Sequence, residues 1–267
     1  MELRGWEYTG RNIGFDFHRQ FLTMINCLSN QDFTNHSSWN NEIQKKLAES
    51  MNLNSSGSVR TVKRMCLNFG FLVETSLSSK NEIETNNLLT RRGLMVYYVA
   101  KLEQQVKKSA CYDATKKERI ATEIKKLYEE AYCDAVKSYY FKNKDNTYLH
   151  PLRATLRALE KYSKLDKWEW YLLNTFIRHD DDREEENVLD KYVEMHRRGE
   201  LSLSMENVVE NPKGHQYTPQ HFEFAGLLTV VQRPEWSICD SGQHQSIKEE
   251  VLKPDFLTKL YGGKIDG

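Results

Sequence analysis

The sequence contains no apolar run long enough to cross a bilayer. Its longest runs, such as LMVYYVA at 94–100, fall far short of the roughly 20 residues a spanning helix needs. The start, MELRGWEYTGRN, lacks the basic, apolar and small-residue regions of a secretory signal. These absences imply an intracellular protein with no membrane partner. Paired cysteines are missing too. Cys27, Cys66, Cys111, Cys133 and Cys239 are scattered, odd in number and never spaced as CxxC. That argues against a disulfide scaffold or zinc ribbon and favours reduced thiols in or near cores. Net charge is absent as well, since 38 basic residues balance 38 acidic ones. A zero total still leaves room for a local basic face, because acids crowd elsewhere: HDDDREEEN at 179–187 alone holds six.

Catalytic signatures are also lacking. There is no GxGxxG, Walker loop, HExxH or GxSxG. Pro254-Asp255 has no following acid-x-Lys, and Glu123-Ile124-Lys125 sits in a strong helical pattern without an upstream acid. The run from Asp180 to Glu186 lacks calcium-loop spacing and reads as acids placed at a helix start. No catalytic residue, metal ligand or cofactor is therefore assigned to this chain.

What is present is helical periodicity. Phe17, Phe21, Ile25 and Leu28 mark one helix, and Trp39, Ile43 and Leu47 a second. A third begins at a serine cap among Ser55, Ser56 and Ser58, buries Val59, Val62, Cys66 and Phe69, and stops at Gly70. FLVETSL and NEIETNNLLT then predict a two-stranded hairpin. Helix, helix, helix and hairpin follow one another as in a winged helix. Two strong helices over 91–140 read as a connector. A second unit follows, with helices at LRATLRALEKYSK, LDKWEWYLLNTFIRH and DREEENVLDKYVEMHRRG, the last ending at Gly199. Its closing helix is expected to start with Thr218 as cap and Pro219 as first residue, with PEWSICD as a wing strand. LNFGFLVE and EFAGLLTVV, which close the two units, share an aromatic, a glycine and then aliphatic residues. The expected fold is mainly α with small β wings (α+β). Two winged-helix subdomains, 1–95 and 142–267, are joined by a helical linker over 96–141.

The third helix carries the chemistry. At 100° per residue, Arg60 and Arg64 fall opposite the apolar side, flanked by Thr61 and Lys63. Arginine can grip guanine edges and lysine phosphate, so this face, with Ser56 and Ser58, is a candidate reader of a DNA major groove. A solvated basic face is the competing reading. Arg4, Trp6, Tyr8, Arg11 and Asn12 form a candidate N-terminal arm draped over the duplex. Asn143, Lys144, Asn146, Thr147 and Tyr148 form a candidate second arm, for which a simple loop is the alternative. Arg153, Arg157 and Lys161 make a basic stripe fit for phosphates or for solvent. Gln216, Tyr217 and Gln220 cluster near a helix start, where backbone N–H groups favour phosphate and glutamine can read adenine.

Two such units, an arm before each, and a helical connector resemble the N-terminal DNA-recognition region of FokI- and AlwI-like type IIS restriction endonucleases. The resemblance rests on architecture and spans essentially the whole chain. It implies a bacterial, cytoplasmic protein that binds an asymmetric double-stranded DNA site as a monomer. In that family a separate Mg-dependent nuclease domain cuts outside the site. TKLYGGKIDG at 258–267 reads as the start of a linker toward such a domain. The resemblance matches Arg60, Thr61, Lys63 and Arg64 to the first recognition helix, Arg4 to Asn12 to its arm, and Asn143 to Tyr148 to the second arm. It departs at the second unit's third helix, which lacks a basic face. A tandem winged-helix transcription regulator, a complete small metal-dependent nuclease and a protein-binding helical scaffold are the other readings.

Overall fold

The computed structural model describes residues 1–7, 10–110 and 112–256. The chain is mainly helical with a few short strands, and it divides into two compact units. One is the continuous stretch 11–135. The other joins 1–10 to 136–267. This division departs from the expected one at both ends of the first unit.

The unit 11–135 begins with α1 (Phe15–Leu28), which buries Phe17, Phe21, Met24, Ile25 and Leu28. The single-turn α2 (Gln31–Thr34) ends at Asn35 in the left-handed region. Then come α3 (Asn41–Ser50), capped by Asn40, and α4 (Ser56–Asn68), capped by Ser55. A left-handed Gly70 ends α4, with Phe71 N donating to Cys66 O and Gly70 N to Leu67 O. The expected hairpin is thinner than its sequence suggested. The stretch 82–89 forms single bridges, Glu82 with Ser38 and Leu89 with Leu72, in place of a ladder, and Glu74–Leu77 is a 3-10 turn. The polar residues of ETSLSSKNE lack the alternation that would sustain a ladder.

α5 (Arg91–Lys108) and α6 (Ala114–Ser138) cover the predicted connector. They are part of this unit's core rather than a spacer, since Val96, Val99, Ala100, Ile124, Tyr128 and Tyr132 are buried. Gly93 is required where α5 crosses the chain, because a β-carbon there would stand 1.9 Å from Phe71 O. Phe69, Phe71 and Tyr132 pack with ring centroids 5.4–5.7 Å apart. His18 (2% exposed) is held between Glu103 and Tyr132 and stacks on Tyr128.

In the other unit, β1 (Leu3–Arg4) is tied down. The hairpin of β2 (Phe141–Lys142) and β3 (Tyr148–Leu149) leads into α7 (Pro151–Tyr162). β4 (Lys164–Asp166) precedes α8 (Lys167–Phe176), which opens with an Asp166/Glu169 capping box. α9 (Arg183–Arg197) is capped by Asp182 and closed by left-handed Gly199. β5 (Val208–Glu210) pairs in parallel with β1. α10 (Pro212–Phe224) follows, then β6 (Leu228–Val231), β7 (Ser237–Asp240) and α11 (Gln245–Leu252). β4, β7 and β6 form an antiparallel sheet in that order. Thus the first strand pairs with the third, and the third with the second.

The start of α10 corrects the sequence reading. Pro212, not Pro219, is the first helical residue. Thr218 is buried and donates to Gly214 O, and Pro219 lies inside the helix. An interior proline frees the carbonyl four residues back, here His215 O. Trp170 Nε1 donates to it at 2.9 Å, so the helix continues through the proline.

Candidate nucleic-acid interface

α4 buries Val59, Val62, Met65 and Cys66. Burial pushes the Cys66 thiol pKa up, so it stays neutral. Arg60 and Arg64 stand on the exposed side, one turn apart. Among the described residues neither makes an ion pair. Arg60 Nη1 donates to Gln44 Oε1 at 3.3 Å, and Arg64 has no side-chain hydrogen bond among the described residues. Ser56, Ser58 and Thr61 are half-exposed beside them, with Thr61 Oγ1 donating back to Gly57 O. Lys63 turns inward instead. Its Nζ donates to Leu77 O at 2.7 Å and sits 4.4 Å from the Trp39 ring centroid, and burial lowers its pKa. Its long stem lets it cover the tryptophan rather than reach outward.

The N-terminal arm is built into its unit. Leu3 is buried, and Trp6 (1% exposed) donates Nε1 to Ile177 O at 2.8 Å and meets Trp170 edge-on at 5.5 Å. Trp6 therefore serves a core and presents nothing to a duplex. Arg4 is exposed but paired with Glu2 at 2.8 Å. Arg178 fastens the segment by donating to Gly5 O and Arg4 O. Tyr8 lies outside the described residues. Arg11 and Asn12 belong to the other unit, half-exposed and exposed respectively.

The second expected arm is a β-hairpin. Asn143 Nδ2 bonds Thr147 Oγ1 and Arg178 O, Asn146 is left-handed, and Tyr148 lies in β3. Lys144 and Asn146 are exposed at its tip.

The α7 stripe is not a phosphate surface. Arg153 (1% exposed) pairs with Asp181 at 2.6 Å. Arg157 pairs with Asp181 and Glu186, and Lys161 with Asp190. The acidic run and Asp190 supply these partners from 24 to 29 positions away, a distance at which sequence patterning gives no signal. One group among the described residues, His179, Asp182 and Glu185, brings possible ligand atoms within 4.8 Å of one another. Three of its four carboxylate oxygens are already engaged: Asp182 Oδ1 accepts from Glu184 N and Glu185 N, while Glu185 accepts from Arg178 N, His179 N and His179 Nδ1. The group works as the cap of α9.

On α10, His215, Thr218, Pro219 and Phe222 are buried, while Gln216 is exposed and Tyr217 and Gln220 half-exposed on the opposite side. Lys213 is exposed one turn before them. A helix start at Pro219 leaves Lys213 outside the helix, whereas the helix begins at Pro212. Gln44 was also missed. Its link to Arg60 joins residues 16 apart on different helices, and no sequence rule reports that.

No protein-family model, curated protein or solved structure matches the chain.

Proposed function

We propose that the chain binds double-stranded DNA sequence-specifically, as the recognition region of a type IIS restriction endonuclease. In this reading α4 and α10 are the recognition helices of two winged-helix units. The carrying observation is the exposed Arg60–Arg64 face of α4, free of ion pairs among the described residues, where the arginines of α7 are neutralised by Asp181 and Glu186. Topology supports it. Each unit has three extended segments paired first with third and third with second, single bridges in one unit and a sheet in the other, with α3 and α4 between the first two segments in one unit and α8, α9 and α10 between them in the other. A left-handed glycine, Gly70 after α4 and Gly226 after α10, turns each helix into the next segment. Both features are consistent with a duplicated winged-helix plan.

The two helices differ in chemistry. Arg60 and Arg64 suit guanine edges and phosphate, whereas Gln216 and Gln220 suit adenine. The proposed role is recognition by one molecule on an asymmetric site in a bacterial cytoplasm, with Mg-dependent cutting left to a nuclease domain. Fluorescence anisotropy with duplex pools tests it, together with light scattering of the complex. The reading predicts a steep loss of affinity with salt and one protein per site. Two proteins on a palindrome would favour a regulator, and indifference to all duplexes would reject DNA binding.

A further inference from the structure

We infer that Gln44 is a positioning residue that pre-orients Arg60 for a guanine edge, an inference that rests on the DNA-binding reading above. Gln44 lies on α3, packed against α4, and is 5% exposed. Its Oε1 accepts from Arg60 Nη1 at 3.3 Å. A buried amide has few rotamers open to it, so its oxygen is a fixed point for a side chain that is otherwise solvated. The guanidinium lies back along α4 over bare backbone: a β-carbon built on Gly57 would stand 3.7 Å from Arg60 Nη2. Arg60 is thus held at Nη1 by a neighbouring helix and passes its other terminal nitrogen over a glycine.

The consequence is chemical. A guanidinium carries five N–H groups in a rigid fork. Gln44 occupies one of those on Nη1, leaving the edge formed by Nε and Nη2 intact. That edge matches two adjacent acceptors in a plane, such as N7 and O6 of guanine. Fixing the fork beforehand removes rotamer entropy that binding would otherwise have to remove. Arg64 has no such anchor, and its charge is equally at home on any phosphate oxygen. The two arginines divide the work: Arg60 reads a base and Arg64 supplies sequence-independent attraction.

The test uses the full chain and a duplex selected from a random pool, with 7-deazaguanine placed at each guanine in turn. This base lacks the N7 acceptor and keeps its pairing. For the wild type, one such replacement is expected to weaken binding roughly ten-fold. Gln44→Met keeps the buried volume and removes the oxygen, and it should shrink that penalty to about two-fold. Gln44→Glu keeps an acceptor and should restore the penalty. Melting followed by circular dichroism confirms that each variant is folded. If Gln44→Met is not, Gln44→Asn, whose shorter amide cannot reach Arg60, takes its place with the same expectation. Retention of the full penalty in the folded Met or Asn variant overturns this inference and leaves DNA binding intact. A wild type that binds selectively yet ignores every 7-deazaguanine overturns it too. A wild type that binds no selected duplex overturns the DNA reading and this inference together.

Discussion

Trp170 Nε1 donates to His215 O at 2.9 Å, the carbonyl that Pro219 leaves without a helical donor. One indole on α8 thus repairs the ladder of α10 and holds the helix that carries Gln216 and Gln220. Trp170→Phe keeps an aromatic ring against Trp6 but orphans that carbonyl. It should cost about 1–3 kcal/mol in urea unfolding. Pro219→Ala in the same background restores an N–H and should recover part of the loss. Equal stability of Trp170→Phe and the wild type would show that the carbonyl finds water instead.

Two helical glycines should respond with opposite signs. Gly93→Ala drives a methyl to 1.9 Å from Phe71 O and should cost about 3 kcal/mol or more, seen as a large drop in Tm. Gly57→Ala meets its neighbours at 3.5 Å and 3.7 Å, ordinary contact distances. It should stabilise α4 by about 0.5–1 kcal/mol through lower backbone entropy of the unfolded chain.

Acid should weaken the fold through buried histidines. His215, stacked on Tyr171 at 3.7 Å, has its pKa pushed down to about 3 by burial and then by Arg178. The unfolded chain therefore takes up that proton first. The stability is fully present above the ordinary histidine value of 6.5 and is lost as pH falls from there toward 3. The slope from this group is at most about 1.4 kcal/mol per pH unit. His18 acts in the same direction: burial lowers its pKa, and Glu103 opposes that in part. His215→Phe keeps the stacked ring and should flatten the urea-midpoint profile over this window. An unchanged profile would show that His215 gains a proton freely while folded.

Helical periodicity carried much of the fold into the sequence. The apolar stripe of α4, its serine cap and Gly70 were all readable within a span of sixteen residues, 55–70, as was the exposure of Arg60 and Arg64. What stayed hidden depends on distant partners. The α7 stripe looked as open as α4 until Asp181, Glu186 and Asp190 were brought against it. Trp6 looked like part of an arm because nothing local announces Trp170 and Ile177 as its neighbours. Pro219 resembled a helix start because a donor 49 residues earlier in the chain excuses it from breaking the helix.

The two kinds of arginine should separate in experiment. Arg153→Ala leaves Asp180 and Asp181 short of a buried cation and should cost about 3 kcal/mol of stability, while the folded fraction binds DNA normally. Arg64→Ala should leave urea unfolding within about 0.5 kcal/mol of the wild type. It should reduce the salt dependence of DNA binding by about one unit of slope, equally on every sequence. A destabilised Arg64→Ala would place that residue in the fold instead.

The central claim is that the exposed face of α4 meets DNA, and the most direct measurement is a selection from a random duplex pool. It compares the wild type with Arg60→Ala/Arg64→Ala, each shown to be folded. The account predicts one enriched asymmetric motif containing guanine for the wild type. The double variant should bind that motif at least about ten-fold more weakly, with the guanine preference lost. Enrichment of the same motif with the same affinity by the double variant would contradict it.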